Sequence, residues 1–234
     1  MSIKSNIEYI QELKTKAAEQ SGRKGEDVLL VAVTKLHTPD EMNEAIDAGI
    51  TDIGENKVQE ILDKYDKVKP VRWHLIGHLQ TNKVKYIIDK VSMIHSVDSL
   101  KLAKEIDKRA AQHDIRMDIL IQVNSAMEES KFGITTEETD QLIKDISEQC
   151  PNITIKGMMC IAPYADDPNE IRGYFAEVKS LYDKYKDSEL ERVDFEYLSM
   201  GMTHDFEVAI LEGSNLIRVG TAIFGYRDYR SEEK

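Results

Sequence analysis

Short apolar runs alternate along the chain with longer segments in which apolar residues recur every three or four positions. The runs are rich in β-branched residues, which is typical of strands that are buried on both faces. They predict eight strands, over residues 28–33, 51–54, 71–76, 91–97, 117–123, 153–161, 193–200 and 216–219.

The segments between these runs have the spacing of amphipathic helices. One helix, over residues 3–18, precedes the first strand, and the next begins at Pro39 and ends at Gly49. Further helical patterns follow the later strands, around residues 58–62, 84–88, 102–110, 142–146, 175–185 and 206–211.

This alternation, with no linker of biased composition, predicts an α/β fold. We expect a single parallel (β/α)₈ barrel, or TIM barrel, that occupies residues 1–234 as one domain. The extra N-terminal helix would cap or flank the barrel. An open doubly wound sheet is the main alternative.

Composition and charge narrow the class of protein. Hydrophobic residues make up 41% and charged residues 32%, as in soluble globular proteins. No apolar run is long enough to span a membrane, and the charged N-terminal segment is unlike a signal peptide. Cys150 and Cys160 lack metal-ligand or redox spacing, so we expect reduced thiols in a cytoplasmic protein and no metal site. The net charge of −12 argues against nucleic acid or an anionic membrane as the main partner, but allows a local basic pocket for a small anion.

The first strand ends at Lys35, and in a barrel the functional site lies where the strands end. On position alone, the favoured interpretation is that Lys35 marks the exit of the strand to solvent. The alternative is that a partly apolar barrel mouth favours its neutral amine by desolvation. A neutral amine is the nucleophile that forms an imine with an aldehyde.

The ends of strands seven and eight combine glycine with hydroxyl residues, as Ser199 with Gly201 and as Gly220 with Thr221. Glycine can simply turn the chain, but it also lets backbone N–H groups approach phosphate oxygens closely. The loops after these two strands are the usual phosphate site of a barrel. The three strand ends together indicate a phosphorylated aldehyde that bridges Lys35 and this phosphate site.

Several short motifs carry a family resemblance that covers nearly the whole chain. In order, they are Val31–Lys35, Gly54–Glu60, Trp73–Lys83, Gln122–Asn124, Glu129–Gly133, Gly157–Met159, Leu198–Met202 and Ile217–Gly225. Each motif alone is short, but together and in this order they are specific. The chain resembles the pyridoxal phosphate homeostasis proteins, which are single-domain barrels that bind pyridoxal 5′-phosphate (PLP).

The resemblance implies a barrel like the N-terminal domain of alanine racemase, the type III fold of PLP proteins, with PLP as cofactor. It assigns the Schiff base to Lys35, the phosphate cradle to Ser199, Gly201, Gly220 and Thr221, and the pyridine nitrogen to Arg218. It places Asn56 near the cofactor ring, and His74 and Met200 close to the cofactor. The chain departs from the commonest pattern at His204, which leaves the details of the loop after strand seven open.

Some of these residues have equally plain structural interpretations. Asn56 lies where a helix should begin, so it is as well explained as a helix cap. His74, His78 and His95 fit buried, hydrogen-bonded core positions, and Trp73 fits core packing. The charged residues Glu128, Glu129 and Lys131 fit a solvated loop, and residues 231–234 an unstructured acidic tail.

Arg218 bears on whether the cofactor is used or stored. Enzymes that use PLP as an electron sink keep the pyridine nitrogen protonated with a carboxylate, whereas arginine only donates hydrogen bonds. Alanine racemases share the barrel and the arginine, but add a second domain for which this chain has no room. We therefore expect a non-catalytic PLP carrier that passes PLP to apo-enzymes by transimination. Its open cofactor face needs no partner subunit, so we expect a monomer. A weak racemase-like enzyme is the alternative, and an aldolase-like barrel using Lys35 on a sugar phosphate is a third.

Overall fold

Eight parallel strands close into a barrel in chain order, with the last strand paired to the first. The computed structural model describes residues 2–127 and 132–225. Its strands are Leu29–Val33 (β1), Asp52–Glu55 (β2), Arg72–Leu75 (β3), Met93–Val97 (β4), Met117–Val123 (β5), Ile153–Cys160 (β6), Val193–Ser199 (β7) and Leu216–Val219 (β8). The predicted (β/α)₈ barrel is confirmed, and the open sheet is excluded because β8 pairs with β1.

Helices surround the strands. They are Ile3–Gln20 (α1), Pro39–Asp47 (α2), Val58–Lys64 (α3), Leu100–Gln112 (α4), Thr139–Gln149 (α5), Arg172–Tyr185 (α6), Phe206–Leu211 (α7) and Thr221–Phe224 (α8). The extra helix α1 packs against α2, α7 and α8, and it therefore flanks the barrel. In the part of the chain that the structure describes, no helix has the length and apolarity needed to cross a membrane.

The segment between β3 and β4 is not the α-helix that the apolar spacing predicts. It forms a 3₁₀-helix over Thr81–Tyr86 instead. Val84, Ile87 and Ile88 are nevertheless fully buried, as the pattern requires. Apolar spacings of three and four residues fit a short 3₁₀ turn as well as an α-helical one, so the pattern could not separate the two.

Strand residues alternate between the helix-facing side and the interior of the barrel. The helix-facing side forms the main hydrophobic core, which contains Trp73 as predicted. Met93, Leu120 and Met159 form a separate apolar cluster with Tyr197 inside the barrel. Several other inward positions carry buried polar side chains, among them His74, His95, Ser199 and Arg218, which is unusual for buried strands and points to a site within the barrel.

Gly157 occupies a position in β6 that no other residue fits. Its φ is +142°, and a Cβ there would lie 1.8 Å from the carbonyl oxygen of Tyr197. The β6–β7 register shifts between Ile155 and Gly157. The glycine of the Gly157–Met159 motif therefore serves the close approach of two strands.

Gly157→Ala should lower the free energy of unfolding by about 2–4 kcal/mol, because the added methyl group forces β6 and β7 apart. Urea denaturation measures this change. Gly173→Ala is the matched control, since a Cβ at Gly173 meets nothing within 4 Å. Its exposed position in α6 should make that variant as stable as the parent or more stable, and equal losses in both variants would contradict the steric argument.

Candidate cofactor-binding site

Lys35 lies in a turn directly after β1, at the end of the barrel where all the strands finish. Its side chain is half-buried. Within the described residues its amine has neither a hydrogen-bond nor an ion-pair partner. The amine is therefore available to a ligand at the barrel mouth.

The turn after β8 lies beside the strand that carries Lys35. A Cβ on Gly220 would lie 3.1 Å from both the Cβ and the carbonyl oxygen of Val33. Any larger residue would push against β1, so glycine suits this close approach. Gly220 and Thr221 are thus brought to the same part of the mouth as Lys35, as the sequence predicts.

Thr203, in the loop after β7, is a candidate site residue that no pattern in the sequence singled out. Its Oγ1 accepts a hydrogen bond from the backbone N–H of Ala222 at 3.4 Å, which joins the loop to the turn after β8. The backbone N–H groups of Thr203 and Thr221 have no acceptor in the described parts of the chain. Two free N–H groups and two hydroxyls on adjoining loops suit a phosphate group. A hydroxyl residue two positions after Gly201 was the available signal.

Ser199 and Gly201 have structural partners of their own. The Ser199 hydroxyl is fully buried and accepts a hydrogen bond from Arg218 at 2.5 Å. Gly201 has a φ of +91°, and a Cβ there would lie 2.7 Å from the Cβ of Ala209. Gly201 thus allows α7 to pack on the end of β7, and Ser199 anchors Arg218. Their assignment to the phosphate cradle stays a prediction from the resemblance.

Arg218 is a buried cation without a salt bridge to any described residue. Only 3% of the residue is exposed. Its guanidinium donates to Ser199 and, at 3.0 Å, to the carbonyl oxygen of Cys160, which are both neutral acceptors. Burial lowers the pKa of Arg218, and the charge of Asp205 partly opposes this. A buried cation held by neutral acceptors is costly unless a further acceptor reaches it.

A chain of buried side chains leads from Arg218 across the barrel interior. His95 Nδ1 lies 3.2 Å from Ser199 Oγ, and its Nε2 lies 2.9 Å from His74 Nδ1. His74 Nε2 in turn lies 2.9 Å from Asp52 Oδ1. With neutral imidazoles, the network is satisfied in one direction: Ser199 donates to His95, His95 to His74, and His74 to Asp52.

Asp52 is the last side chain in this hydrogen-bonded series, at the end opposite Arg218. It is fully buried and also binds the partly exposed Arg72 through both carboxylate oxygens, each at 2.7 Å. Burial alone would raise the pKa of Asp52, but hydrogen bonds from His74, Arg72 and Thr51 outweigh it and hold that pKa well below its ordinary value. The carboxylate therefore stays ionised and fixes the donor direction of His74.

His74 and His95 are satisfied buried histidines, as their plain interpretation predicts. His74 is three hydrogen bonds from Arg218, so the structure connects the two residues only through Ser199 and His95. His78 does not fit that interpretation: it is exposed and stacks on Phe132 with ring centroids 3.8 Å apart. The reason is that β3 ends at Leu75, so His78 lies in the following loop.

Asn56 lines a cavity of about 270 Å³ at the mouth, together with Ile76, Gly77, His78, Gln122, Phe132 and Ile161. Its interpretation as a helix cap is wrong, because Lys57 is the N-cap of α3 and no side chain caps that helix. A Cβ on Gly77 would lie 2.3 Å from the carbonyl oxygen of Asn56, so Gly77 lets the two loops meet. Asn56 therefore lies in the wall of a cavity at the mouth, and its predicted place beside a cofactor ring stays a prediction.

Met200 is fully buried, and its side chain belongs to the main hydrophobic core on the helix-facing side. The Met200 side chain therefore does not lie at the mouth, and its predicted proximity to the cofactor stays a prediction. His204 stacks on Tyr164, and its Nε2–H donates to the carbonyl oxygen of Ala165 at 2.9 Å, which ties the loops after β6 and β7 together. Residues 128–131 and 231–234, with their predicted solvated loop and tail, lie outside the described residues.

The stability of the folded chain should fall as the pH drops below 6.5, in part because of His95. Burial, followed by the nearby His74 and Arg218, lowers the pKa of His95 well below its ordinary value of 6.5. The unfolded chain then binds a proton that the folded chain does not, which contributes up to about 1.4 kcal/mol per pH unit. In His95→Gln, urea denaturation should show a shallower loss of unfolding free energy over the first pH unit below 6.5. Parallel pH profiles for both proteins would contradict this assignment.

Comparisons with known proteins agree with this fold. The alanine racemase N-terminal domain family matches residues 5–228. An Aquifex aeolicus protein named pyridoxal phosphate homeostasis protein is 42% identical over 234 residues, which cover 98% of this chain and 100% of that protein.

Two solved structures extend the comparison. An unknown protein from Bifidobacterium adolescentis superposes with a TM-score of 0.89 at 35% identity, covering 95% of this chain and 94% of the other. PipY of Synechococcus elongatus, with PLP bound, superposes with a TM-score of 0.78 at 30% identity, covering 91% of this chain and 100% of PipY. On this identity and coverage, the chain belongs to the pyridoxal phosphate homeostasis protein family.

Proposed function

We propose that this protein binds PLP as an imine on Lys35 and takes part in PLP homeostasis. The proposal rests on one observation: a lysine amine without a partner and two free backbone N–H groups lie at the barrel mouth, and a buried guanidinium without a salt bridge lies at the end of β8 that leads to it. These groups match an aldehyde, a phosphate and a pyridine nitrogen. PLP carries all three on one small molecule.

The relatives support the same ligand. PipY is a family member whose structure contains PLP, and the Aquifex aeolicus relative is named for PLP homeostasis. In this chain Lys35 would supply the amine, and Gly220, Thr221 and Thr203 would hold the phosphate. Arg218 would donate to the pyridine nitrogen, and Asn56 would flank the ring.

We propose storage and delivery, without turnover, as the use of this imine. With PLP bound, Arg218 would donate a hydrogen bond to the pyridine nitrogen and so favour its unprotonated form, which would make the cofactor a weaker electron sink. An incoming amine can still displace Lys35 by transimination and carry PLP away. Apo-enzymes that need PLP are the proposed recipients. We further propose that residues 1–234 act as one domain and as a monomer in the cytoplasm, where free thiols such as Cys150 stay reduced.

Purified protein incubated with PLP should turn yellow, and borohydride should fix the cofactor on Lys35. Mass mapping of peptides after reduction measures the position of the adduct. Lys35→Ala should lose the adduct and the colour. Lys57→Ala is the control, because Lys57 is an exposed lysine near the mouth and should not affect either. A wild-type protein that takes up no PLP would overturn the proposed function, and a sugar-phosphate imine would be colourless.

The alternative function is a weak racemase-like enzyme, favoured by the match to the alanine racemase N-terminal domain. Assays with either enantiomer of alanine should show no turnover near the range of typical enzymes, about 1–10³ per second. Chiral chromatography of the product measures it. Turnover in that range, lost in Lys35→Ala, would replace the carrier function with the enzyme.

A further inference from the structure

The turn that carries Lys35 has an unfavourable backbone conformation. His37 N–H donates to the Thr34 carbonyl oxygen at 3.0 Å and closes the turn around Lys35 and Leu36. Leu36 has a φ of +65°, in the left-handed region that favours glycine or asparagine. Leucine has no side-chain polar group to support this conformation locally. Something outside the turn must therefore hold it.

Two charged side chains of α3 bind the turn on either side of Lys35. Glu60 Oε2 accepts a hydrogen bond from the backbone N–H of Leu36 at 2.6 Å. Lys64 Nζ donates to the carbonyl oxygen of Thr34 at 3.0 Å. The residues directly before and after Lys35 are thus both fixed by α3, while the amine of Lys35 itself is left unbound.

Glu60 and Lys64 form part of a larger buried cluster. Lys64 Nζ lies 2.7 Å from Glu60 Oε2 and 2.9 Å from Glu55 Oε1. Thr34 Oγ1 also donates to Glu55 Oε1, at 2.7 Å. Burial alone would raise the pKa of Glu60, but the hydrogen bonds from Lys64 and from Leu36 N–H lower it below its ordinary value. Glu60 is therefore an ionised acceptor, which makes its bond to Leu36 stronger than a neutral one.

Burying this cluster costs desolvation free energy that a gain in barrel stability does not explain. Glu55 is fully buried, its Oε2 has no hydrogen-bond partner in the described structure, and burial raises its pKa despite Lys64. Apolar side chains of similar size commonly give equal or greater stability than buried ion pairs. What apolar side chains cannot do is hold the N–H of Leu36 and the carbonyl of Thr34. The cluster is explained by the turn more than by stability.

We propose that Glu60 and Lys64 are positioning residues for Lys35, which hold its turn in the left-handed conformation and aim the amine at the barrel mouth. The inference rests on the proposed function and adds the residues that prepare it. A nucleophile held close to its reacting geometry forms its bond faster than one that must first be ordered. We call Glu60 and Lys64 the clamp. Removing either side chain should slow the reaction of Lys35 with PLP while leaving the amine in place.

The test compares the rate at which PLP becomes fixed to Lys35, measured by borohydride quenching and mass mapping, with the melting temperature of the apo-protein. Glu60→Ala should slow fixation about tenfold, as expected for one lost charged hydrogen bond. Lys64→Met should slow it by a similar factor. Glu60→Gln keeps an acceptor for Leu36 N–H, so it should fall between Glu60→Ala and wild type.

Two comparisons separate positioning from general stability. Glu105→Ala removes another helical i, i+4 pair of similar burial, with Arg109 on α4. It should lower the melting temperature without slowing fixation. Leu36→Gly makes the left-handed turn easy, so the effect of Glu60→Ala should shrink to less than about threefold when both changes are combined.

The outcomes are distinct from those that test the proposed function. If wild type forms no adduct on Lys35, the proposed function fails before the clamp is tested. If wild type forms the adduct and Glu60→Ala forms it at the wild-type rate, the proposed positioning role of Glu60 is wrong. An equal slowing by Glu60→Ala with and without Leu36→Gly would also overturn it, because the effect would then not pass through the turn.

Discussion

The pairing of β8 with β1 is the constraint on which the site depends. It closes the barrel and places the turn after β8 against the strand that carries Lys35. The contact is close enough that a side chain on Gly220 would crowd Val33 of β1. In an open sheet β1 and β8 would lie far apart, and an amine and a phosphate cradle from the two ends of the chain could not meet. Closure of the barrel thus brings Lys35 and the turn after β8 close enough for one small ligand to contact both.

Charge inside the barrel is arranged around this mouth. Arg218 faces neutral acceptors and is connected, through Ser199 and two histidines, to an ionised Asp52 on the far side. On the other side of Lys35, the Glu55–Glu60–Lys64 cluster holds the turn. Both networks cost desolvation, and neither touches the amine itself. We propose that both networks order the groups that would meet PLP before it arrives, which would lower the entropy lost on binding.

Periodicity predicted the barrel, because continuous apolar runs and amphipathic segments are physical consequences of strands enclosed by helices. The strand ends followed from it, and with them Lys35, Gly220 and Thr221. Periodicity could not distinguish a 3₁₀ turn from an α-helix at Thr81–Tyr86, since both bury the same residues. It also placed His78 in the core, although β3 ends three residues earlier.

The side-chain partners within the site could not be predicted from one sequence. The resemblance assigns Ser199 to the phosphate, which stays a prediction, and no pattern in the sequence indicated its hydrogen bond to Arg218. Thr203 and Glu60 lie in loops and on helix faces whose approach to the mouth depends on tertiary packing. Such contacts join residues far apart in the chain, and a local sequence pattern cannot predict them.

A crystal structure of the protein soaked with PLP would test the central claim most directly. The account predicts continuous density from Lys35 Nζ into the cofactor, the phosphate against the N–H groups of Thr203 and Thr221, and Arg218 at the pyridine nitrogen. Density for PLP attached to another lysine, or with its phosphate away from these loops, would contradict it.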